Sequence, residues 1–159
     1  MKHTGKMLAS ASMALTLLAS SAWAGDRENI QAFYDVISTG GADAEVAAFM
    51  SATADDWESV GNYSGKNKNR EGFLGQIGGI GKLIPDLDWA VQEIHEAGNF
   101  FTVRSRATGT PVAPMFGVDG EGRGFDIMAI DIHEVEDGKI VRTYHVEDWA
   151  GAMQQLSGK

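Results

Sequence analysis

The sequence has no cysteine, only three prolines, and fewer basic than acidic residues. The lack of cysteine excludes thiolate catalysis and disulfide crosslinks, and it makes an oxidising compartment tolerable. The net charge of −9 argues against nucleic acid or anionic lipid as a partner. The chain also lacks a phosphate-binding loop, a dinucleotide-binding fingerprint and a nucleophile elbow. The sequence therefore indicates neither thiol chemistry nor a nucleotide site.

Long apolar runs are confined to the N-terminus. Residues 1–24 have the pattern of a signal peptide: two lysines, an apolar stretch from Met7 to Leu18, and Ala22-Trp23-Ala24 as a cleavage site. The stretch is too short to span a bilayer comfortably. We expect cleavage before Gly25 and export to the periplasm or beyond, with no membrane partner; a retained N-terminal anchor is the alternative. Residues 25–159 have the length of one domain.

The rest of the chain divides into a helical part followed by strands. Apolar spacing predicts helices over Asp26–Ser38, Asp43–Met50 and Arg70–Leu83, with Asp55–Val60 extended between them. The third helix is rich in glycine, which indicates either close packing on a sheet or a mobile lid. Alternating runs then predict strands at Trp89–His95, Phe100–Thr108, Phe125–Val135 and Ile140–Val146, and a short helix over Trp149–Leu156. The order predicts an α+β domain with helices on one face of an antiparallel sheet.

The last two strands form a predicted hairpin around Asp137-Gly138, a dipeptide that favours a tight turn. A regular two-residue turn pairs Glu136 with Lys139 and Asp131 with Tyr144. It places Phe125, Ile127, Ala129, Asp131, His133 and Val135 on one face, beside Ile140, Arg142, Tyr144, Val146 and Asp148. Both faces are apolar enough to be covered. Ionisable groups in a covered sheet cost free energy unless they are paired or used, so the chemistry is expected here.

Several strings resemble the SnoaL-like polyketide cyclases, a branch of the nuclear transport factor 2-like superfamily. They are Phe33-Tyr34 before a Thr-Gly-Gly helix stop, Pro85-Asp86-Leu87, Gly109-Thr110, Met115-Phe116-Gly117, Ala129-Ile130-Asp131-Ile132, Glu136-Asp137-Gly138-Lys139-Ile140 and Gln154-Gln155-Leu156. The resemblance covers nearly all of residues 25–159. It implies a cone-shaped α+β barrel in which N-terminal helices and a strongly bent antiparallel sheet enclose a pocket.

The resemblance also implies an acid–base pair on the last two strands. In the family's cyclases a His on the first strand and an Asp on the second serve aldol ring closure. Matched through the shared turn, these positions fall on Asp131 and His145, so the two residue types are exchanged. A pocket Asn of the family falls on or near Glu58. The regular register puts Asp131 and His145 on opposite faces, and one extra residue between Lys139 and Tyr144, a β-bulge, would bring them together.

The candidate catalytic residues are therefore His145, as proton carrier, and Asp131, as its hydrogen-bonded partner. The candidate substrate contacts are Glu58, Trp57, Tyr144, Phe116 and Asp148. The alternatives are structural roles. His145 is then a half-exposed strand residue, and Asp131 accepts a hydrogen bond from Tyr144 or a backbone amide. Glu58 is then a surface group, Asp148 a helix cap, and the aromatic side chains part of the core. His133 and Arg142, near the hairpin tip, are expected to be solvated. A metal set of Asp131, His145, Glu58 and His133 lacks any typical spacing, so no metal is expected.

The sequence thus predicts cofactor-free acid–base chemistry, by aldol cyclisation or isomerisation, on a small apolar carbonyl compound. Two alternatives stay open: a pocket that binds an apolar ligand without turnover, and a dimeric accessory module. In the regular register Met128, Ile130, Ile132 and Val141 face away from the pocket, which predicts a homodimer through the sheet.

Overall fold

The structure, a computed structural model, describes the backbone of residues 11–158 and the side chains of residues 24–158. The predicted signal peptide therefore lies largely outside the described residues. The elements follow the order α1 (Ala11–Ser38), α2 (Asp43–Ala52), β1 (Thr53–Val60), α3 (Arg70–Leu83), β2 (Asp88–Ala97), β3 (Phe100–Gly109), β4 (Phe125–Glu136), β5 (Lys139–Glu147) and α4 (Trp149–Leu156). The first helix begins upstream of its predicted start at Asp26. Within the described residues, no helix is long and apolar enough to cross a membrane.

The five strands form one sheet in the order β1-β5-β4-β3-β2. The pairs from β2 to β5 are antiparallel, as predicted, and the α+β class is confirmed. The segment predicted only as extended is a full strand, β1, and it pairs with β5 in parallel. The sheet is therefore mixed. The prediction of a wholly antiparallel sheet is wrong at this edge because β1 reaches β5 through helices and other strands instead of a hairpin.

A β-bulge interrupts the hairpin between β4 and β5. Glu136 pairs with Lys139 and Val135 with Ile140, but the next pair joins Glu134 to Arg142, so that Val141 is the extra residue. From there on the register is shifted, and Asp131 lies opposite His145. The regular register is wrong, and the bulge needed to bring Asp131 and His145 together is present. Because side chains alternate along a strand, the same shift moves Arg142, Tyr144 and Val146 to the outer face.

The core lies between the inner face of the sheet and the helices. The stripe predicted on the first helix is buried and consists of Ile30, Phe33, Tyr34 and Ile37. Phe33 packs against the rings of Phe49, Trp57 and Phe73, which come from α2, β1 and α3. This aromatic cluster ties three elements to α1 and forms one wall of the interior.

The glycines of α3 have two different explanations. A Cβ added to Gly81 would lie 2.6 Å from the Cα of Gly40, so α3 and the turn that follows α1 approach too closely for any side chain there. By contrast, a Cβ at Gly75, Gly78 or Gly79 would meet nothing within 4 Å. Close packing therefore accounts for Gly81 but not for these three glycines.

Candidate active site

A cavity of about 140 Å³ lies between the helices and the inner face of the sheet. Its walls are mainly apolar and aromatic, and its polar groups converge from β1, β4, β5, α3 and the segment before α3. The lining residues are Phe33, Ile37, Ser59, Lys68, Phe73, Gln76, Ile77, Ile80, Trp89, Asp131, His145, Glu147 and Trp149. An apolar cavity with a few convergent ionisable groups is the usual form of a small-molecule site.

Asp131 provides a buried carboxyl group to this cavity. Only 3% of the residue is exposed, and its Oδ2 accepts a 2.8 Å hydrogen bond from the hydroxyl of Tyr34. Burial raises the pKa of Asp131 to about 7, and the Tyr34 hydrogen bond opposes that rise. The charge of Glu147 raises the pKa further, whereas the charge of His145 lowers it. Asp131 can therefore hold or release a proton near neutral pH.

His133 lies behind Asp131 in the core and has no exposed surface. Its Nε2 is 3.0 Å from the Tyr34 hydroxyl and its Nδ1 is 3.0 Å from Oγ1 of Thr143. Thr143 Oγ1 also accepts a 3.1 Å hydrogen bond from the indole nitrogen of Trp57. Burial lowers the pKa of His133 to about 3, so the ring is neutral. The prediction that His133 is solvated is wrong, because its alternation with Asp131 and Val135 carries it inward near the hairpin tip.

His145 is the second ionisable group of interest. Its Nδ1 lies 2.7 Å from Oε1 of Glu147, and both side chains are less than one-fifth exposed. Its Nε2 is buried and has no hydrogen-bond partner among the described residues. The backbone of Gly61 covers that nitrogen, since a Cβ at Gly61 would lie 2.7 Å from it. A buried ring nitrogen without a partner is uncommon and suggests a functional role.

The predicted hydrogen bond between Asp131 and His145 is not formed. The bulge places the two residues opposite each other and both line the cavity, but each has another partner: Tyr34 for Asp131 and Glu147 for His145. The carboxylate–imidazole pair in the structure is Glu147 with His145, in place of the predicted Asp131 with His145. The alternative acceptor role considered for Asp131 is present too, with Tyr34 as donor in place of Tyr144.

None of the five candidate substrate contacts lines the cavity. Glu58 lies outside it, 3.8 Å from the guanidinium of Arg142, and Trp57 is wholly buried in the aromatic cluster. The bulge turns Tyr144 to the outer face. Phe116 is 71% exposed, and its ring packs beside that of Trp149. Asp148 caps α4 by accepting from the backbone nitrogen of Gly151.

Sequence reasoning missed three residues of the site: Tyr34, Thr143 and Glu147. Tyr34 and Asp131 are 97 positions apart, and only the packing of α1 on the sheet joins them. Thr143 reaches its place through the bulge. Glu147 left a usable signal, because residues two apart on a strand share a face and the string His-x-Glu sets a carboxylate beside the imidazole.

Among the described residues, no group of three or more His, Cys, Asp or Glu side chains is arranged to hold a metal ion. The polar groups at the cavity are instead an acid with a tunable proton and an imidazole paired to a carboxylate. Such a site can move protons at a bound molecule. Fold and cavity together define an α+β pocket protein with acid–base capacity.

The family follows from comparison with known sequences. The model of the SnoaL-like polyketide cyclase family matches residues 28–156, and the chain belongs to this family. The predicted resemblance, with its nuclear transport factor 2-like fold, is thereby confirmed. Among curated proteins none matches the chain.

Solved structures give the same fold. IdmH of Streptomyces antibioticus, a proposed polyketide cyclase, is 27% identical with a TM-score of 0.70, over 82% of this chain and 97% of that one. A proposed SnoaL-like polyketide cyclase of Jannaschia sp. CCS1 is 18% identical with a TM-score of 0.71, over 86% and 94%. TsrD of Streptomyces laurentii is 20% identical with a TM-score of 0.72, over 86% and 97%.

Proposed function

We propose that the protein catalyses enolisation of a small carbonyl compound, leading to cyclisation or isomerisation without a cofactor. His145 is the base, oriented by Glu147, and Asp131 is the acid. The observation that carries the proposal is the placement, in one apolar cavity, of an imidazole with an unpartnered nitrogen and a carboxyl whose pKa is about 7. Groups with such different environments can divide the acid and base roles between them.

In the proposed step Nδ1–H of His145 donates to Glu147, which leaves the lone pair on Nε2 free to accept a proton. Nε2 takes a proton from the carbon next to the substrate carbonyl, and the C–H electron pair forms the C=C bond of an enol. The carbonyl oxygen receives the proton of Asp131 as the π electrons of the C=O bond move onto that oxygen. The enzyme is left with imidazolium and carboxylate. The imidazolium then delivers its proton to a different carbon of the conjugated enol while Asp131 takes its proton back from the enol oxygen, which completes an isomerisation. Because Gly61 covers Nε2, its loop must shift slightly for this contact.

The cavity limits the size of the reacting part of the substrate. Its volume of about 140 Å³ is close to that of engineered apolar cavities, on the order of 150 Å³, which hold one benzene molecule. The aromatic walls of Phe33, Phe73 and Trp89 favour a flat, apolar group. We infer that one ring or a short chain bearing a carbonyl reacts inside, and that any larger portion extends outward.

Hydrogen–deuterium exchange tests this function without knowledge of the product. The protein is incubated in D₂O with small 1,3-dicarbonyl and β-keto compounds, and loss of the α-proton signal is followed by NMR. We expect the wild-type protein to accelerate exchange with at least one compound and His145→Gln to abolish the acceleration. His95→Gln is the matched control, because His95 is an exposed histidine on β2 outside the cavity.

The contrary result distinguishes enzyme from binding module. If a compound shifts the NMR resonances of wild type and His145→Gln alike, and exchange is never faster than in buffer, the pocket holds its ligand without turnover. Equal acceleration by wild type and His145→Gln would instead show that His145 is not the base.

Export is proposed from the N-terminal sequence alone. Lysines followed by an apolar stretch and Ala22-Trp23-Ala24 are typical of a cleaved leader that directs a chain to the periplasm or beyond. Mass analysis of the protein recovered outside the cytoplasm should give Gly25 as the first residue. A recovered chain that retains Met7–Leu18 would contradict cleavage.

A further inference from the structure

The buried polar groups behind the cavity form a continuous chain of hydrogen bonds. It runs from Trp57 Nε1 to Thr143 Oγ1, then to His133 Nδ1, across the ring to Nε2, to the Tyr34 hydroxyl, and ends at Oδ2 of Asp131, with every step between 2.8 and 3.1 Å. All five residues are at most 3% exposed. Four elements contribute to it: α1, β1, β4 and β5. Of these groups, only Asp131 lines the cavity.

The donor direction along the chain follows from the two partners of Thr143. An indole N–H can only donate, so Thr143 Oγ1 accepts from Trp57, and among the described residues the one other partner that can take the Thr143 hydrogen is His133 Nδ1. A neutral imidazole that accepts at Nδ1 carries its hydrogen on Nε2. That N–H donates to the oxygen of Tyr34, whose O–H then donates to Asp131. In this order each donor along the chain has an acceptor. An interior without water favours this arrangement because a buried donor without an acceptor raises the free energy of the folded state.

The last link decides where the acidic proton of Asp131 resides. Asp131 Oδ2 accepts a hydrogen bond from Tyr34, and the Tyr34 oxygen accepts one from His133. A hydrogen on Oδ2 would therefore face the Tyr34 hydroxyl and find no acceptor. The proton is therefore carried by Oδ1, which makes no hydrogen bond among the described residues. Burial and the charge of Asp131 raise the pKa of Tyr34 well above its usual range, so Tyr34 stays a donor.

We propose that Trp57, Thr143, His133 and Tyr34 are positioning residues that form a one-way donor chain and direct the acidic proton of Asp131 onto Oδ1. The inference rests on the proposed role of Asp131 as the acid. His133 acts here through Tyr34 and touches no substrate. The ionisable groups around the Asp131 carboxyl are Tyr34 on α1, His133 on β4, His145 and Glu147 on β5, and Lys68 before α3.

Nitrogen NMR of histidine-labelled protein reads the direction of the chain without any substrate. We expect His133 to show protonated Nε2 and unprotonated Nδ1 from about pH 5 to 9, with no change of tautomer as Asp131 titrates. A hydrogen on Nδ1, or a tautomer that switches with Asp131, would overturn the proposal. This result does not depend on turnover, so it fails or succeeds separately from the proposed function.

Variants test whether the chain acts on Asp131. Asp131 is followed by the ¹³Cγ shift of labelled aspartate, assigned by its loss in Asp131→Asn. Tyr34→Phe removes the donor to Oδ2, and we expect the Asp131 pKa to rise by about one unit or more, since a hydrogen bond to a carboxylate favours its charged form. Thr143→Val should mix the His133 tautomers and raise the Asp131 pKa by a smaller amount, and Thr143→Ser should restore both.

The matched control is Ser105→Ala. Ser105 is also a buried hydroxyl that accepts from an indole, that of Trp89 at 2.8 Å, but it has no link to Asp131. It should leave the His133 tautomer and the Asp131 pKa unchanged. If Thr143→Val does not fold, Trp57→Phe removes the donor that sets the direction and should also mix the tautomers. Variants that leave both readouts at their wild-type values would overturn the proposal.

Discussion

The middle of β4 reverses the distribution usually found between the two faces of a sheet. On the inner face Asp131 and His133 are 3% and 0% exposed, whereas on the outer face Ile130 and Ile132 are 37% and 38% exposed and Met128 is 55% exposed. The ends of the strand keep the usual distribution, with apolar residues buried on the inner face and acidic residues on the outer face. The inner polar groups are held because each meets partners from other elements, and the outer apolar groups lie beside Phe100, Tyr144 and Val146.

The difference separates two kinds of cost. Burying a carboxyl and an imidazole opposes folding even when both are hydrogen-bonded, so the inner face lowers stability where the proposed chemistry would occur. Exposed apolar surface costs little in a monomer but favours association. Substitution of neighbouring residues on β4 therefore provides matched comparisons between the proposed catalytic face and the proposed association face.

The largest expected contrast is in turnover, between Asp131 and its neighbour Ile130. Asp131→Asn keeps the shape but removes the proton, and we expect the exchange rate with an active compound to fall roughly 10²- to 10⁴-fold, the usual contribution of a general acid. Ile130→Asn changes only the outer face and should stay within about twofold. Equal losses in the two variants, measured by the same NMR assay, would remove the catalytic distinction between the faces.

The next contrast is in stability, between His133 and Ile132. His133→Leu leaves Tyr34 and Thr143 without their buried partner, and we expect a loss of about 2–3 kcal/mol in urea unfolding. Ile132→Gln alters an exposed side chain and should change the free energy of unfolding by about 0.5 kcal/mol or less, at concentrations where the chain is monomeric. A stabilising His133→Leu would show that the polar chain is dispensable for folding.

The pH dependence of stability gives opposite slopes for the two buried groups. The pKa of Asp131 rises from 3.8 to about 7 on folding, so the unfolded chain loses this proton first and stability falls as pH increases between those values. The pKa of His133 falls from 6.5 to about 3, so the unfolded chain gains this proton first and stability falls as pH decreases between those values. Between about pH 4 and 6.5 the two contributions cancel, each at about 1.4 kcal/mol per pH unit.

Single variants should reveal each slope. Relative to wild type, Asp131→Asn should gain stability as pH rises through this window, and His133→Gln should gain stability as pH falls. Urea unfolding at several pH values measures both. A difference from wild type that does not depend on pH in either variant would show that its group titrates normally in the folded protein.

The smallest expected effect is on association through the outer face. We propose that Met128, Ile130, Ile132 and Val146 meet the same residues of a second copy, since together with Phe100 and Tyr144 they leave an apolar surface uncovered. Ile132→Glu should shift sedimentation toward monomer at tens of micromolar, about the range where weak dimers dissociate, without loss of fold. A wild-type protein that is already monomeric there would contradict a dimer.

The class of fold could be predicted from sequence because helical and alternating periods are local. The position of Asp131 opposite His145 could not be derived that way, since the bulge at Val141 leaves no distinct residue type in the sequence. Only the resemblance to the cyclases indicated it. Tyr34 was predicted as part of an apolar stripe, and its hydroxyl contact with Asp131 depends on how a helix packs across the sheet. The solvated position predicted for His133 is wrong because nearness to the turn does not determine which face of the strand a residue occupies.

The bulge at Val141 also has an evolutionary consequence. Because Val141 is the unpaired residue, loss of its single codon would leave the other pairs of the hairpin unchanged, including Asp131 with His145. By contrast, a change that lets Val141 pair with Glu134 would shift every later pair by one residue and exchange the two side-chain sets of β5. The interior would then receive Arg142, Tyr144 and Val146 and would lose Thr143, His145 and Glu147, although every one of those residues would still be encoded. Within this lineage, residue identity alone is therefore an insufficient record of whether the site has been kept, and strand pairing must be read with it.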